Sequence, residues 1–294
     1  QIFGVDVYVM NFECFEVLIS NNIAHVVMKR PEKRNNMNAA FWNELPVLIN
    51  DIDANVRARV IVISSTGPHF CGGLDVDMFL SGGVKDESND SIRRRQDAAK
   101  FMNMLNVMQK SFSVLEECRL PVLVAIQGGC IGGGVDMVTA CDMRYVTQDA
   151  FFTIFETKIG MTADVGTFPR IVKLVPEGLV REMAYTGRKV SANEALEMGL
   201  VNRVYETQNA MLAGVMSIAQ EIAENAPLAV YGCKRAITYA RDHTTQEGLE
   251  WINLWNASML QNDEISEAMS ARQEKRPGVF ADLPALKNKI GDGS

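Results

Sequence analysis

Basic charge is in deficit in this sequence, histidine is scarce, and several familiar catalytic signatures are missing. Lys and Arg number 29 against 36 Asp and Glu across 294 residues, a formal net charge of −7. That balance excludes an extended polyanion as main partner, because a nucleic-acid backbone or an anionic membrane needs a basic face. A compact anion is a different matter, since backbone N–H donors and a few basic side chains can hold it locally. The six cysteines (Cys14, Cys71, Cys118, Cys130, Cys141, Cys233) contain no C-x-x-C pair. They read as buried thiols in a reducing compartment, not as a disulfide framework. His25, His69 and His243 show no H-x-x-x-H spacing, so no metal site is expected. The longest charge-free stretch, Leu120 to Val135, has 16 residues and is rich in glycine, too short for a membrane span. Gly-x-Ser-x-Gly, G-x-G-x-x-G and Gly-Lys-Ser/Thr are all absent, which removes the usual hydrolase, dinucleotide and phosphate-loop readings. The chain begins at Gln1 and not at methionine, which predicts processing or truncation, so a missing targeting segment says little about location.

What is present suits one large domain or two modest ones, with 47% hydrophobic and 22% charged residues. Phe15 to Ser20 and Ile23 to Lys29 read as a hairpin turning on Asn21-Asn22. Asn38 to Asp53 reads as a helix capped by Asn38, with Pro46 implying a kink or a late start. Arg59 to Ser65 and Leu120 to Gln127 are nearly continuous apolar runs, as buried parallel strands should be. Between them lie a polar loop, Ser81 to Ser91, and a helix from about Ile92 to Glu117 with apolar Phe101, Leu105, Met108, Phe112 and Leu115. A helix from Gly132 to about Cys141 and a strand, Met143 to Val146, complete an α/β pattern with crossovers. From Pro176 onward the chain reads as helix. Ser191 with Glu194, and Thr244 with Glu247, form capping-box signatures, and Gly199 is a C-cap. We divide the chain into an α/β core, 1–205, and a helical region, 206–294. The apolar stripe around Trp251 and Trp255 suits core closure or an oligomer interface.

Two glycine-rich turns follow the two apolar runs, Phe70 to Asp75 and Gly128 to Gly134. Glycine lets a ligand approach the peptide N–H groups, and the second turn opens into a helix N-terminus. Two such turns could aim one N–H each at a single oxygen, as an oxyanion hole does. For either turn alone, tight helix–strand packing is the preferred reading. Downstream, Glu156 and Asp164 lie in an apolar setting, and Asp136 lies in the glycine-opened helix. An extended segment would hold Glu156 and Asp164 roughly 26 Å apart, but Gly160 permits a reversal onto one pocket. Buried carboxylates have raised pKa values, useful for proton transfer. The alternative is that they are surface acids or turn caps. Cys71 and Cys130 read as small packing residues, and Arg93 to Arg95 as a solvated helix face.

Taken together, these segments resemble the crotonase, or enoyl-CoA hydratase/isomerase, superfamily. The resemblance rests on Arg30 to Asn38 (RPEKRNNMN), His69 to Asp75 (HFCGGLD), Ala125 to Asp136 (AIQGGCIGGGVD) and Ala140 to Arg144 (ACDMR). It implies a crotonase-type spiral of ββα units with an all-helical C-terminal region, used to build a homotrimer or homohexamer. It also implies an acyl-CoA thioester substrate, with CoA as part of the substrate and no separate cofactor. The family's oxyanion hole maps to the N–H groups of Leu74 and Gly133, and CoA contacts to Arg34 and Gly72. Hydratases of the family carry glutamates at positions 136 and 156 and glycine at 164. Here the trio is Asp136, Glu156 and Asp164, and Met161 to Thr167 resembles the Δ3,5-Δ2,4-dienoyl-CoA isomerase subgroup. Thr162 stands where that subgroup has alanine, and Lys158 where an acid is common.

The chemistry implied is a shift of two double bonds. A proton leaves C2 and one arrives at C6, about 5 Å away, so two positioned acids are favoured over one. The resemblance implies that Asp164 takes the C2 proton, Glu156 serves C6, and Asp136 tunes or orients Glu156. Enoyl-CoA hydration or Δ3-Δ2 isomerisation on the same scaffold is the second reading. A binding protein that keeps the fold, including an RNA-binding member, is the third, and the absence of a lysine-rich helix opposes it. The expected location is a mitochondrial matrix or a peroxisome-like organelle.

Overall fold

A computed structural model describes residues 8–75, 78 and 91–286. Its large sheet has seven strands in the order β1-β2-β3-β4-β5-β7-β10. These are β1 (Tyr8–Asn11), β2 (Phe15–Ser20), β3 (Ile23–Met28), β4 (Val60–Ser65), β5 (Val122–Ile126), β7 (Met143–Thr147) and β10 (Arg203–Tyr205). The β2–β3 hairpin turns on Asn21 and Asn22, whose φ values of 51° and 61° fit a type I′ loop. From β3 onward each neighbour runs parallel, joined through helices α1 (Ala39–Ala54) and α2 (Ser91–Glu117). Every residue of β4 and β5 is buried, which explains why both read as apolar runs without alternation. Phe15, Phe41, Trp42 and Phe112 form an aromatic cluster between sheet and helices, with Phe15–Phe41 and Trp42–Phe112 centroids each 5.1 Å apart.

A second sheet was not legible in the sequence. Strands β6 (Gly129–Ile131), β8 (Phe151–Thr153) and β9 (Val190–Ser191) form it, and a bridge from Cys71 to Cys130 extends it. Thus β5, β6 and helix α3 (Gly133–Thr139) make one ββα unit, and β7, β8 and a 3-10 turn (Glu156–Ile159) make the next. The first strand of each unit lies in the large sheet and the second in the small one. This is the expected spiral. It corrects the reading of Gly128 to Gly134 as one turn, since its middle is strand.

Pro46 neither delays nor interrupts α1, which starts at Ala39 with the Asn38 side chain accepting from Phe41 N–H at 3.0 Å. The stripe expected on α2 holds for Met108, Phe112 and Leu115, whereas Phe101 is exposed because that half of the helix extends beyond the described core. The polar loop expected at Ser81 to Ser91 lies outside the described residues, save Ser91, which opens α2.

The remaining helices are α4 (Thr167–Ile171), α5 (Glu177–Thr186), α6 (Ala192–Glu197), α7 (Gln208–Ala223), α8 (Pro227–Asp242), α9 (Thr245–Met259) and α10 (Asn262–Glu274). Helix α7 packs Met211, Val215, Ala219 and Ala223 on the sheet against Val60, Val62, Leu123 and Ala125. The Thr244–Glu247 capping box is complete. At α6 only half forms. Ser191 accepts from Glu194 N–H, but the Glu194 carboxylate turns to Arg188 instead. Gly199 takes the left-handed position after Met198, with φ of 82°. Helix α9 buries no residue and leaves Leu249 and Leu254 exposed, although Trp251 and Trp255 stack on each other at 5.3 Å. No described helix is long and apolar enough to cross a membrane.

Candidate active site

Both glycine turns meet at one place. Gly73 has φ of 90° and approaches Ile131 so closely that a Cβ would lie 2.9 Å from its carbonyl oxygen. The turn is held from three sides. Gly72 N–H donates to Arg34 O (2.8 Å), Met37 N–H to Gly73 O (2.9 Å) and Asp75 N–H to Met37 O (3.1 Å). A Cβ built on Gly133 would lie 3.8 Å from Leu74 N, so the two predicted oxyanion donors are neighbours. Among the described residues, neither Leu74 N–H nor Gly133 N–H donates a hydrogen bond. Two unengaged N–H groups side by side, one at a helix start, are the kind of donors that an oxyanion hole needs.

The acids gather beside that pair. Gly132, at φ of 52°, lies against the Glu156 side chain, and a Cβ there would sit 3.2 Å from Glu156 Oε1. Gly132 N–H donates to Thr153 O at 3.0 Å, which fixes the small sheet and thus the start of the Glu156 turn. Gly160 closes that turn in the left-handed region, so the expected reversal toward Asp164 is present. Asp136 is 1% exposed, and its Oδ1 accepts from Thr167 N–H at 2.7 Å. Burial pushes its carboxyl up to about 6, opposed by the hydrogen bond from Thr167 N–H. Burial first, then the nearby Asp136 charge, pushes Glu156 up to about 7. Asp164 is half-buried and raised by that burial, and its charge in turn raises both other acids. The buried Oε2 of Glu156 has no hydrogen-bond partner among the described residues. Asp136 acts on Glu156 through charge, which raises the Glu156 carboxyl, and no hydrogen bond joins the two.

Arg34 is exposed, in the left-handed region, beside Gly72. The Gly72 N–H is committed to the Arg34 carbonyl, so this glycine holds Arg34 next to the turn and offers no donor of its own. Cys71 and Cys130 are fully buried and burial pushes the Cys71 thiol up to about 12, which leaves both as inert packing residues. Among the described residues no group of three or more His, Cys, Asp or Glu side chains could hold a metal ion.

Several supporting residues escaped the sequence reading. His69 Nδ1 accepts from Gly129 N–H at 3.0 Å, pinning the second turn to the first. The buried Asn35 amide donates to Thr66 O and His69 O at 2.9 and 3.2 Å. Thr167, Gln109 and Arg170 hold the segment that carries Asp164. Only Asn35 carried a signal, as one of the residue types that tolerate positive φ.

Known proteins resemble this chain over most of its length. Residues 18–283 match the family model described as enoyl-CoA hydratase/isomerase. The chain is 42% identical over 268 residues to the mitochondrial Δ(3,5)-Δ(2,4)-dienoyl-CoA isomerase of Mus musculus, covering 90% of this chain and 81% of that one. It is 35% identical over 276 residues to the peroxisomal Δ(3,5)-Δ(2,4)-dienoyl-CoA isomerase of Arabidopsis thaliana, covering 93% and 99%. The structure also resembles the crystal structure of an enoyl-CoA hydratase from Bacillus anthracis, with a TM-score of 0.79 at 25% identity over 93% of this chain and 98% of that one.

Proposed function

Because the chain belongs to the enoyl-CoA hydratase/isomerase family, we propose that its site isomerises 3,5-dienoyl-CoA to 2,4-dienoyl-CoA, a step of fatty-acid β-oxidation. One observation carries this reading. Three mutually interacting carboxyls, Asp136, Glu156 and Asp164, lie beside two unengaged backbone donors.

The thioester oxygen docks on the N–H groups of Leu74 and Gly133, where charge develops when C2 loses its proton. Asp164, the more open acid, is the base at C2. Glu156 holds its proton to near neutrality because burial and Asp136 both oppose its charge, so it is the donor at C6. The dienolate formed between the two steps spreads along the chain and stays bound to the same N–H pair. Asp136 never touches the substrate in this scheme; it keeps Glu156 protonated. Arg34, held beside the oxyanion turn by Gly72, reaches the CoA phosphates. The substrate loses one proton and gains one, so it is isomerised without net change. Asp164 then releases a proton and Glu156 takes one up through solvent before the next turnover, and no separate cofactor is needed.

Exposed Leu249 and Leu254 on α9, and Ile237 on α8, leave apolar surface on the helical region, in keeping with a homotrimer or homohexamer in which a second copy covers part of it. The mitochondrial and peroxisomal names of the relatives support a location in one of those organelles.

Hydration of enoyl-CoA on the same scaffold is the competing reading. Supplying 3,5-dienoyl-CoA and crotonyl-CoA to the same preparation separates them. Growth of conjugated-diene absorbance with little crotonyl-CoA hydration is expected. Rapid hydration without the diene signal would favour the hydratase.

A further inference from the structure

Asp164 and the Thr167 N–H that serves Asp136 belong to one short segment, 164–170, and that segment is tied to α2 at three points. The Gln109 amide donates to Asp164 O at 2.7 Å. Arg170 Nη2 donates to Ser113 Oγ at 3.2 Å. Arg170 Nε faces Glu116 Oε2 at 3.4 Å, with its side chain only 11% exposed. Gln109, Ser113 and Glu116 stand at i, i+4 and i+7, so they share one face of α2. Ser113 also donates its hydroxyl to Gln109 O at 3.0 Å, which frees its oxygen to accept from Arg170. Gly166 leaves room for this arrangement, since a Cβ there would fall 2.1 Å from Arg170 Nη1.

We propose that this α2 stripe and Arg170 form a positioning clamp that sets Asp164 against C2 and Thr167 N–H against Asp136. The inference rests on the isomerase reading of the site. None of the four residues touches the reacting atoms. They act by fixing the backbone from which one acid projects and to which another is bonded. A base displaced by about 1 Å can cost about a hundredfold in rate while leaving distant binding contacts intact. The clamp therefore belongs in kcat and not in KM.

Arg170→Met is the direct test, read by diene kinetics and by hydrogen exchange of residues 161–171. The clamp predicts a kcat lower by about ten- to a hundredfold, KM within about twofold, and exchange of that segment faster by about tenfold. Arg170→Lys keeps the charge toward Glu116 and recovers part of the lost kcat. Gln109→Met probes the other end without disturbing an ion pair, and its effect should be non-additive with Arg170→Met. Arg181→Met, which removes an exposed pair with Glu177, serves as the control with unchanged kinetics. Should Arg170→Met fail to fold, Gln109→Met carries both readouts alone. Unchanged kcat together with unchanged exchange, or a rise in KM alone, would overturn the clamp. A wild-type protein without diene activity, but with faster exchange in the variants, would overturn the isomerase reading and with it the catalytic role of the clamp, leaving only the structural tie between α2 and residues 164–170.

Discussion

The Asp136 carboxylate accepts the backbone N–H of Thr167 at 2.7 Å, although the two residues lie 31 apart in sequence and Asp136 is almost wholly buried. One hydrogen bond does not repay the loss of hydration of a carboxylate, so the group holds its proton to about pH 6. That places a strained ionisation in the centre of the site, with consequences for both stability and rate.

For stability, Asp136→Asn should help at alkaline pH. Between pH 3.8 and about 6 the native state keeps a proton that the unfolded chain has released, so stability falls as pH rises through that window. The penalty is complete above pH 6 and absent below 3.8. At about 1.36 kcal/mol per unit, the rise from 3.8 to about 6 corresponds to about 3 kcal/mol. Asparagine keeps the acceptor for Thr167 and removes the charge. Denaturant unfolding should show a gain of up to about 3 kcal/mol at pH 8 and none at pH 3.5. An equal difference at both pH values would contradict this.

For rate, kcat should fall as pH rises through about 7, where Glu156 loses the proton intended for C6. Asp136, Asp164 and the burial of Glu156 all hold that limb high. In Asp136→Asn one repelling charge is gone, so the alkaline limb should move to lower pH. A pH–rate profile of both proteins checks the direction, and an upward movement would refute it.

Gly73→Ala should damage catalysis more than folding. The new Cβ would meet Ile131 O at 2.9 Å at a φ of 90°, so the turn must shift and carry Leu74 N–H with it. Loss of one oxyanion donor typically costs about a hundred- to a thousandfold in kcat. A fall of less than about tenfold in folded protein would mean that Leu74 N–H is not a donor.

Pro46 offers a test remote from the site. Lacking an N–H, it leaves the Trp42 carbonyl without its usual helical donor, and Ser111 Oγ from α2 lies 3.0 Å from that oxygen. Ser111→Ala should cost about 1–2 kcal/mol, the range for stranding a buried polar group. In a Pro46→Ala background the residue 46 N–H returns, and the same change should cost under about 0.5 kcal/mol. A double-mutant cycle by urea unfolding measures the difference.

The five inner strands of the large sheet were legible, the central ones because strands covered on both faces are written as uninterrupted apolar runs, as Val60 to Ser65 shows. Its edge strands β1 and β10 were not, and β10 corrects the reading of the chain after Pro176 as helix. The small sheet was not legible either, because strands of two or three residues built from Gly129, Cys130 and Phe152 have no period to read. The glycine turns and the three acids could be found as types at positions. Their mutual approach depended on the Gly160 reversal, which the sequence only permitted. Gln109, Ser113 and Glu116 carried no sequence signal for their role, since the segment they hold lies some fifty residues away. Phe101 misled in the other direction, because helical spacing marks a face and says nothing of what covers it.

The most direct measurement of the central claim is the rate at which conjugated 2,4-dienoyl-CoA absorbance grows from 3,5-dienoyl-CoA with wild type, Asp164→Asn and Glu156→Gln. Wild type should turn over, and each variant should lose at least about a hundredfold in kcat while remaining folded. No signal from folded wild type, or undiminished rates in both variants, would contradict the two-acid isomerase.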